Sequence, residues 1–377
     1  MNRKQTACQV LAQHESALQE MSRWLYQNPE TAYREFESSR RLAELLGANG
    51  FEVTYPAYDL ETAFEATAGS SGPRVVICCE YDALPEVGHA CGHNIIATAA
   101  IGAGIALADM TEELGIRVTV LGTPAEEGGG GKVKLIDAGA FEDAVASMMI
   151  HPLAENLINK SFQSRQTFYV EYQGKESHAA LAPHLGVNAL DAFVQAYLNV
   201  STLRQHYMAG DRTHCIVTNG GDASNIIPAY TKSTWGIRAA SRERLEVLMP
   251  KVRACWEAAA QATGCRLTVT PAGEPYYDVI HNPVMTSLFG ANSTTLGRPM
   301  PSEVVAEGGS TDMGNVSQVV PSIHPMLAIE TNGAVNHQKE FTEATITESG
   351  DLALHDGALA MAYTIIDMAE QDVWDRL

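Results

Sequence analysis

CEYDALPEVGHACGHN, residues 79–94, is the stretch on which the reading of this chain turns. It follows an apolar run at 73–79 rich in β-branched residues, which predicts a buried strand. The motif then lies at the C-terminal edge of a sheet, where open α/β sheets place their ligands. Cys91 and His93 are separated by one glycine, which frees the backbone to turn both side chains toward one centre. Thiolate and imidazole are donors of the kind that zinc takes. The small and apolar run Ile95 to Ala108 comes next. It is too short to cross a bilayer and reads as a buried helix over about 92–109.

Outward from this motif, strands and helices alternate. On the N-terminal side the spacing predicts helices over 6–27 and 35–49 and a strand over 51–55. On the C-terminal side a strand over 116–121 runs into TPAEEGGGGK, residues 123–132, and then into a short helix and a strand over 145–150. Such alternation predicts an α/β layer with a largely parallel sheet. After His151 the pattern changes. Strands over 165–173, 213–219, 232–239 and 265–270 enclose helices over 186–207 and 241–262, the βαββαβ order of a small α+β unit. From about Pro275 mixed α/β character returns and ends in a long helix over 342–370. A chain of 377 residues exceeds what one core serves well. The expected organisation is a discontinuous catalytic domain, 1–160 and 275–377, interrupted by an inserted domain, 161–274.

Composition narrows the partners. Lys+Arg number 25 against Asp+Glu 45, a formal net charge of −20, which argues against a nucleic-acid partner and gives no attraction to anionic membrane. An acidic small substrate stays open, because a local cationic pocket can overrule the bulk field. The seven cysteines show no disulfide framework and the N-terminal stretch has no secretory apolar core, so a reducing cytoplasmic location is expected.

Three further stretches carry chemistry. In the 123–132 loop, Glu126 and Glu127 are adjacent carboxylates: one can bind metal while the other takes a proton from the attacking water. His151 stands at the end of an apolar strand, and His337 just before the C-terminal helix. The loop GGSTDMG, residues 308–314, offers small side chains and free backbone N–H groups suited to a carboxylate. Arg238 closes an apolar strand, where it either grips a carboxylate or pairs with a surface acid. His324, in PSIHP, reads as a pocket residue or a strand-entry residue. Competing motifs fail: the glutamate at 126 occupies the first glycine position of a Walker A loop, and GGSTD lacks the final glycine of a nucleophile elbow.

Taken together, EYDALPEVGHACGHN, GTPAEEGGGG, MMIHP, ESHAALAPHLGVNALDA, DASNIIP, GSTDMGNVSQVVPSIHP and NHQKEFTEA resemble the M20 metallopeptidase/amidohydrolase family. The likeness spans about 79–343. It is closest to the N-acyl-amino-acid amidohydrolase branch, near the aminobenzoyl-glutamate hydrolases and β-alanyl-lysine dipeptidase-like proteins. The resemblance implies a two-domain α/β metallohydrolase whose inserted α+β domain serves as lid and dimerisation surface, in a homodimer. It implies two divalent metal ions, zinc or manganese with cobalt also suited. Cys91 bridges them, His93 and Glu127 complete one, and His151 and His337 complete the other. Glu126 becomes the general base and acid, Asp82 the carboxylate that orients ligands, and His178 a lid residue that polarises the scissile carbonyl in the partner's site. Asn225, Arg238, Gly309, Ser310, Thr311 and His324 are the substrate-binding candidates. Two positions depart from the family pattern. Glu80 stands where many members carry a metal-binding histidine, and Asn94 stands where most of this branch carry aspartate.

The activity so implied is hydrolysis of the amide bond of an N-acyl or N-aroyl amino acid or a small dipeptide. The substrate's leaving half is expected to bear a free carboxylate. Deamination or ring C–N hydrolysis at the same centre is the alternative reaction, and a metal-binding scaffold without turnover is the alternative class. Retention of Glu126 beside a full ligand set argues against the scaffold.

Overall fold

The computed structural model describes residues 2–301 and 308–377, which fall into two compact units. The first contains residues 2–161, 279–301 and 311–377, and the second contains residues 162–278 with 308–310.

In chain order the first unit opens with α1 (Arg3–Gln27), α2 (Phe36–Gly47), β1 (Glu52–Thr54), β2 (Phe64–Ala68) and β3 (Arg74–Cys79). It continues with α3 (His93–Ala108), α4 (Thr111–Leu114), β4 (Arg117–Gly122), α5 (Gly131–Asp137), β5 (Ala144–Met148) and β6 (His151–Leu153). The second unit contributes β7 (Ser164–Gln173), α6 (Ala189–Leu203), β8 (Arg212–Asn219), β9 (Tyr230–Ala239), α7 (Arg242–Thr263) and β10 (Arg266–Pro271). The chain returns to the first unit with α8 (Pro283–Thr295), α9 (Met313–Ser317), β11 (Ser322–Ile323), β12 (Met326–Ala328), α10 (Lys339–Ala344) and α11 (Glu348–Glu370).

The first unit is built on a six-stranded sheet of order β1-β2-β4-β3-β5-β11. From β4 to β11 the strands are parallel, while β2 and β1 add an antiparallel edge. Strand β3 is buried along its whole length, as a parallel strand covered on both faces must be. Helix α3 is buried from His93 to Leu107 and lies among α1, α11 and the sheet. Its small residues are what permit this. A methyl group at Gly102 would lie 2.9 Å from Leu11 Cδ1 and 3.1 Å from Ala358 Cβ, so glycine lets α1 and α11 close on α3. No helix among the described residues is long and apolar enough to cross a membrane.

The second unit is a four-stranded antiparallel sheet of order β10-β7-β9-β8, with α6 and α7 packed on one face. Strand β9 shows why. Thr231, Ser233, Trp235, Ile237 and Ala239 are buried in alternation with half-exposed neighbours, the two-residue period of a sheet covered on one side. Trp235 and Trp256 meet at 5.6 Å between ring centroids in that core.

Three expectations need correction. The apolar strand before His151 stops at Met148, and His151 instead opens β6, paired with β12 in a separate two-stranded parallel sheet. The long C-terminal helix is two helices, because Thr347 caps a new start by accepting from Gly350 N. Strand β2 has no counterpart among the expected strands. Its five residues alternate buried and half-buried on an antiparallel edge, too short a run to stand out from the flanking loop.

Candidate metal centre

Four segments of the first unit deliver donor side chains to one place. Cys91 sits in the turn before α3, and His93 is that helix's first residue. Glu126 and Glu127 follow β4, His151 begins β6, and His337 precedes α10. One donor atom each from Cys91, His93 and His151 lie within 4.8 Å of one another. The same holds for Cys91, Glu127 and His337, and for His93, Glu126 and Glu127. Because members recur, the triples form one cluster. It unites the five ligand residues expected from the sequence with Glu126.

The backbone is bent to make this happen. Gly92 has φ 75°, and a Cβ there would lie 2.3 Å from Pro152 Cγ, so only glycine lets the β6 strand come up against the Cys91–His93 turn. Beside the donors, the non-glycine residues Ala125 and His337 also take left-handed backbone, at φ 60° and φ 72°. Each such conformation costs on the order of 1–3 kcal/mol and persists only when its surroundings fix it. Here Ala125 N–H donates to Glu35 Oε1 at 3.0 Å, and His337 N–H donates to the Ala90 carbonyl at 3.0 Å.

Side-chain hydrogen bonds then aim the donors. His93 Nδ1 lies 2.7 Å from the Asp82 carbonyl oxygen and 3.2 Å from Asp82 Oδ1. That fixes one ring proton on Nδ1, so Nε2 is the nitrogen that presents a lone pair to the cluster once a cation displaces its proton. Asp82 Oδ2 accepts from Glu127 N at 2.9 Å, so one carboxylate orients both the imidazole and the Glu127 backbone. His151 Nδ1 donates to the Pro152 carbonyl at 2.8 Å, which again leaves Nε2 as the lone-pair nitrogen. His93 Nε2 and Glu127 Oε1 lie 4.0 Å apart, both buried and both without a hydrogen-bond partner. Buried polar atoms left so are costly unless something else satisfies them.

The electrostatics agree. Burial pushes the Glu126 carboxyl well above the usual range, and the charges of Glu80, Glu127 and Asp312 add to it. Burial and then Glu127 push the Cys91 thiol up in the same direction. For His93, burial opposes the charged ring, but Asp82, Glu80 and Glu127 outweigh it and hold the imidazole well above its ordinary value. Burial and the His93 charge lower His151 to about 3. Crowded anions that hold protons are what a divalent cation would discharge, since metal binding competes with protons for the same lone pairs. Thiolate, imidazole and carboxylate donors, with orphaned lone pairs aimed inward, fit such a cation.

Some residues at this centre were not singled out from the sequence. Lys132, fully buried, pairs with Glu80 and also with Asp312 Oδ1 at 2.8 Å. Burial raises Glu80 against the pull of the Lys132 ammonium. Glu35 is buried beneath Ala125, and burial followed by the charge of Asp82 raises its carboxyl to about 7. Lys132 directly follows the glycine run, and Asp312 lies inside GGSTDMG, so a charge within an apolar or glycine-rich motif was the available signal.

The remaining candidates divide between the units. In the first, His324 is buried with its ring 5.7 Å from that of His151, which places it at the centre. Thr311 is buried, and it corrects the expectation for the 308–314 loop. Met313 N donates to Thr311 Oγ1 at 3.2 Å and Gly314 N to the Thr311 carbonyl at 3.1 Å, so those N–H groups are engaged at the start of α9. Asn94 points away from the donors. Its Nδ2 donates to Ser22 Oγ at 2.9 Å and Thr345 Oγ1 at 3.2 Å, joining α1 and α3 to the turn before α11. The departure from aspartate at this position therefore falls on core packing.

In the second unit, His178 and Asn225 come together through a bridge between His178 and Ile226, with Ala179 N donating to the Asn225 carbonyl at 2.9 Å. His178 is exposed, and its Nδ1 accepts from Ala180 N at 3.3 Å and Leu181 N at 3.1 Å. Arg238 is half-buried and meets a hydroxyl instead of an acid, its Nη1 donating to Ser310 Oγ at 3.0 Å. Ser310 Oγ in turn donates to the Gln163 carbonyl at 2.6 Å, and Gly309, at φ 80°, accepts from Gln163 N.

Comparison with known proteins places this geometry. Residues 78–355 match the model of peptidase family M20/M25/M40. The chain is 41% identical over 382 residues to the Xaa-Arg dipeptidase of Mus musculus, covering 97% of this chain and 88% of that one. It is 33% identical over 260 residues to one of the p-aminobenzoyl-glutamate hydrolase subunits of Escherichia coli (strain K12), covering 63% and 54%. Its fold resembles that of a dinuclear metal-binding peptidase of the M20 family from Bacillus subtilis, with a TM-score of 0.71, 20% identity and coverage of 94% and 99%. The chain belongs to peptidase family M20/M25/M40 and is a hydrolytic enzyme.

Proposed function

We propose that this protein is a two-metal amidohydrolase that cleaves the amide bond of an N-acyl or N-aroyl amino acid or a small dipeptide. The observation that carries the reading is the convergence of donor atoms from Cys91, His93, Glu126, Glu127, His151 and His337. Cys91, His93 and His151 would hold one cation and Cys91, Glu127 and His337 the other, a division favoured by the two close donor triples that share Cys91 over the His93–Glu127 and His151–His337 pairing that the resemblance implied. When bound, zinc, manganese or cobalt supplies Lewis acidity that makes water nucleophilic at neutral pH and polarises the carbonyl. Glu126 takes the proton from the attacking water and returns it to the leaving amine. Its raised affinity for a proton, caused by burial and neighbouring acids, suits a group that must hold one between those steps. Asp82 keeps His93 in the tautomer that presents Nε2.

The substrate class rests on similarity and on the second unit. Two relatives are named as a Xaa-Arg dipeptidase and a p-aminobenzoyl-glutamate hydrolase, and a substrate of that kind is assigned to this chain. Arg238, with Ser310 and Gly309, is assigned to the substrate's free carboxylate. With Nδ1 accepting backbone N–H groups, neutral His178 carries its proton on Nε2, the tautomer that donates to a carbonyl. Seven cysteines without a disulfide support a reducing, cytoplasmic setting.

The test is release of free amine from matched substrates, with metal removed and restored. Chelation is expected to abolish turnover, and added divalent metal to return it. Converting the leaving half's carboxylate to a primary amide should lower kcat/KM by roughly tenfold or more, the loss of about one charge-assisted hydrogen bond. Full activity in metal-free protein overturns the two-metal reading. Equal rates for acid and amide overturn carboxylate recognition, and release of ammonia alone points to a deaminase.

A further inference from the structure

The first unit buries an ammonium ion beside its donor cluster. Lys132, at the start of α5, is wholly enclosed, as are Glu80 at the end of β3 and Asp312 before α9. Isolated charges at such depth cost several kcal/mol each, and an ion triad replaced by apolar side chains is often no less stable. A stability role alone is therefore a weak reason for the triad. Its geometry has a direction. Asp312 grips Lys132 twice, Oδ2 accepting from the backbone N–H at 2.9 Å and Oδ1 from Nζ at 2.8 Å. Lys132 Nζ also donates to Glu80 Oε1. Glu80 Oε2 has no hydrogen-bond partner and lies 3.5 Å from His93 Nε2, itself unpartnered. One oxygen of Glu80 is thus anchored and the other is turned toward the atom that His93 offers to a cation. His93 belongs to two of the close donor triples, whereas Glu80 is a member of none.

We propose that Lys132 is a positioning residue of the metal centre, clamping Glu80 so that a carboxylate oxygen faces the cation held by His93. Glu80 acts on that cation as a fixed neighbouring charge, and Asp312 fixes the lysine. The inference rests on the two-metal reading.

The test is competition between the full-length chain and a chromophoric chelator for Zn2+ and Mn2+, with thermal melts of the metal-free proteins run in parallel. Glu80→Gln keeps the shape and an acceptor for Lys132 but removes the charge. It is expected to weaken metal binding by roughly 10–100-fold, the range seen when an outer partner of a ligand is lost. Lys132→Met should weaken binding in the same direction, and combining it with Glu80→Gln should add little, because the lysine acts through the glutamate. Glu80→Asp withdraws the oxygens by one methylene and provides a second reading if Glu80→Gln folds poorly; it too should bind less tightly. Wild-type affinity in either Glu80 variant, or a drop in melting temperature with metal binding unchanged, overturns the proposal. Additive losses in the double variant overturn the clamp. If the wild-type chain itself binds no divalent metal, the two-metal reading fails instead.

Discussion

Glu126 and Glu127 are neighbours in sequence with different surroundings. The backbone N–H of Glu127 is tied to Asp82, and its Oε1 and Oε2 face His93 and His337 at 4.0 and 3.8 Å. Glu126 is instead dominated by burial and by other acids, which favour its protonated form. The pair should therefore separate cleanly on mutation. Glu126→Gln is expected to retain metal while kcat falls roughly 10²–10⁴-fold. Glu127→Gln should lose metal affinity first, and excess metal should restore part of its rate. Metal content by elemental analysis, read beside kcat, checks both, and the reverse pattern exchanges the two assignments. The sequence showed two adjacent carboxylates with two available jobs. It could not show that Glu35 holds the left-handed Ala125 just before them, because residues 35 and 125 meet only through folding.

At the scale of elements, the site depends on how closely β6 approaches the turn before α3. Gly92 stands at that approach, with φ 75° and Pro152 Cγ 2.3 Å from where a methyl would go. Gly264, after α7, has a similar φ of 76° but open space around it. Gly264→Ala should cost about 1 kcal/mol, the left-handed penalty alone. Gly92→Ala adds a steric clash in a packed region and should cost roughly 2–4 kcal/mol, with loss of metal as Cys91 and His93 shift. Denaturant melts of both variants, with metal content, check this, and equal costs would show that the Pro152 approach is not what requires glycine. The glycine at 92 was legible as a hinge between two donors. Its neighbour was not, because the apolar run before His151 reads as one strand ending there, while the residue in fact begins its own.

Across the whole molecule, apolar exposure gathers in the second unit. Leu181 is 81% exposed, Ile216 on edge strand β8 is 64% exposed and Leu198 on α6 is 56% exposed. An unpaired strand edge with apolar side chains is a surface that natural proteins cover. We propose that this surface is where two chains meet, as the family resemblance implies, with His178 of one chain serving the centre of its partner. Inactive His178→Ala mixed with inactive Glu126→Gln should then recover a fraction of wild-type activity, since mixed dimers contain one intact pairing. Assay after subunit exchange, verified by mass, reads the result. No recovery despite exchange would return His178 to its own chain or to a surface role.

What the sequence determined by itself was chemistry that lies close along the chain. Cys91-Gly-His93, the Glu126–Glu127 pair and the strand–helix alternation are local patterns, because donor type, backbone freedom and residue period act over a few positions. These were enough for the α/β class, the family and a ligand set whose members the structure unites. Only tertiary structure decided matters that depend on distance in space. It joined residues 80, 132 and 312 into a buried ion triad, turned Asn94 into a core linker and gave Arg238 a hydroxyl partner. A buried charge is recognisable only once the atoms around it are known, since the cost of burial and the partner that offsets it both arise from packing.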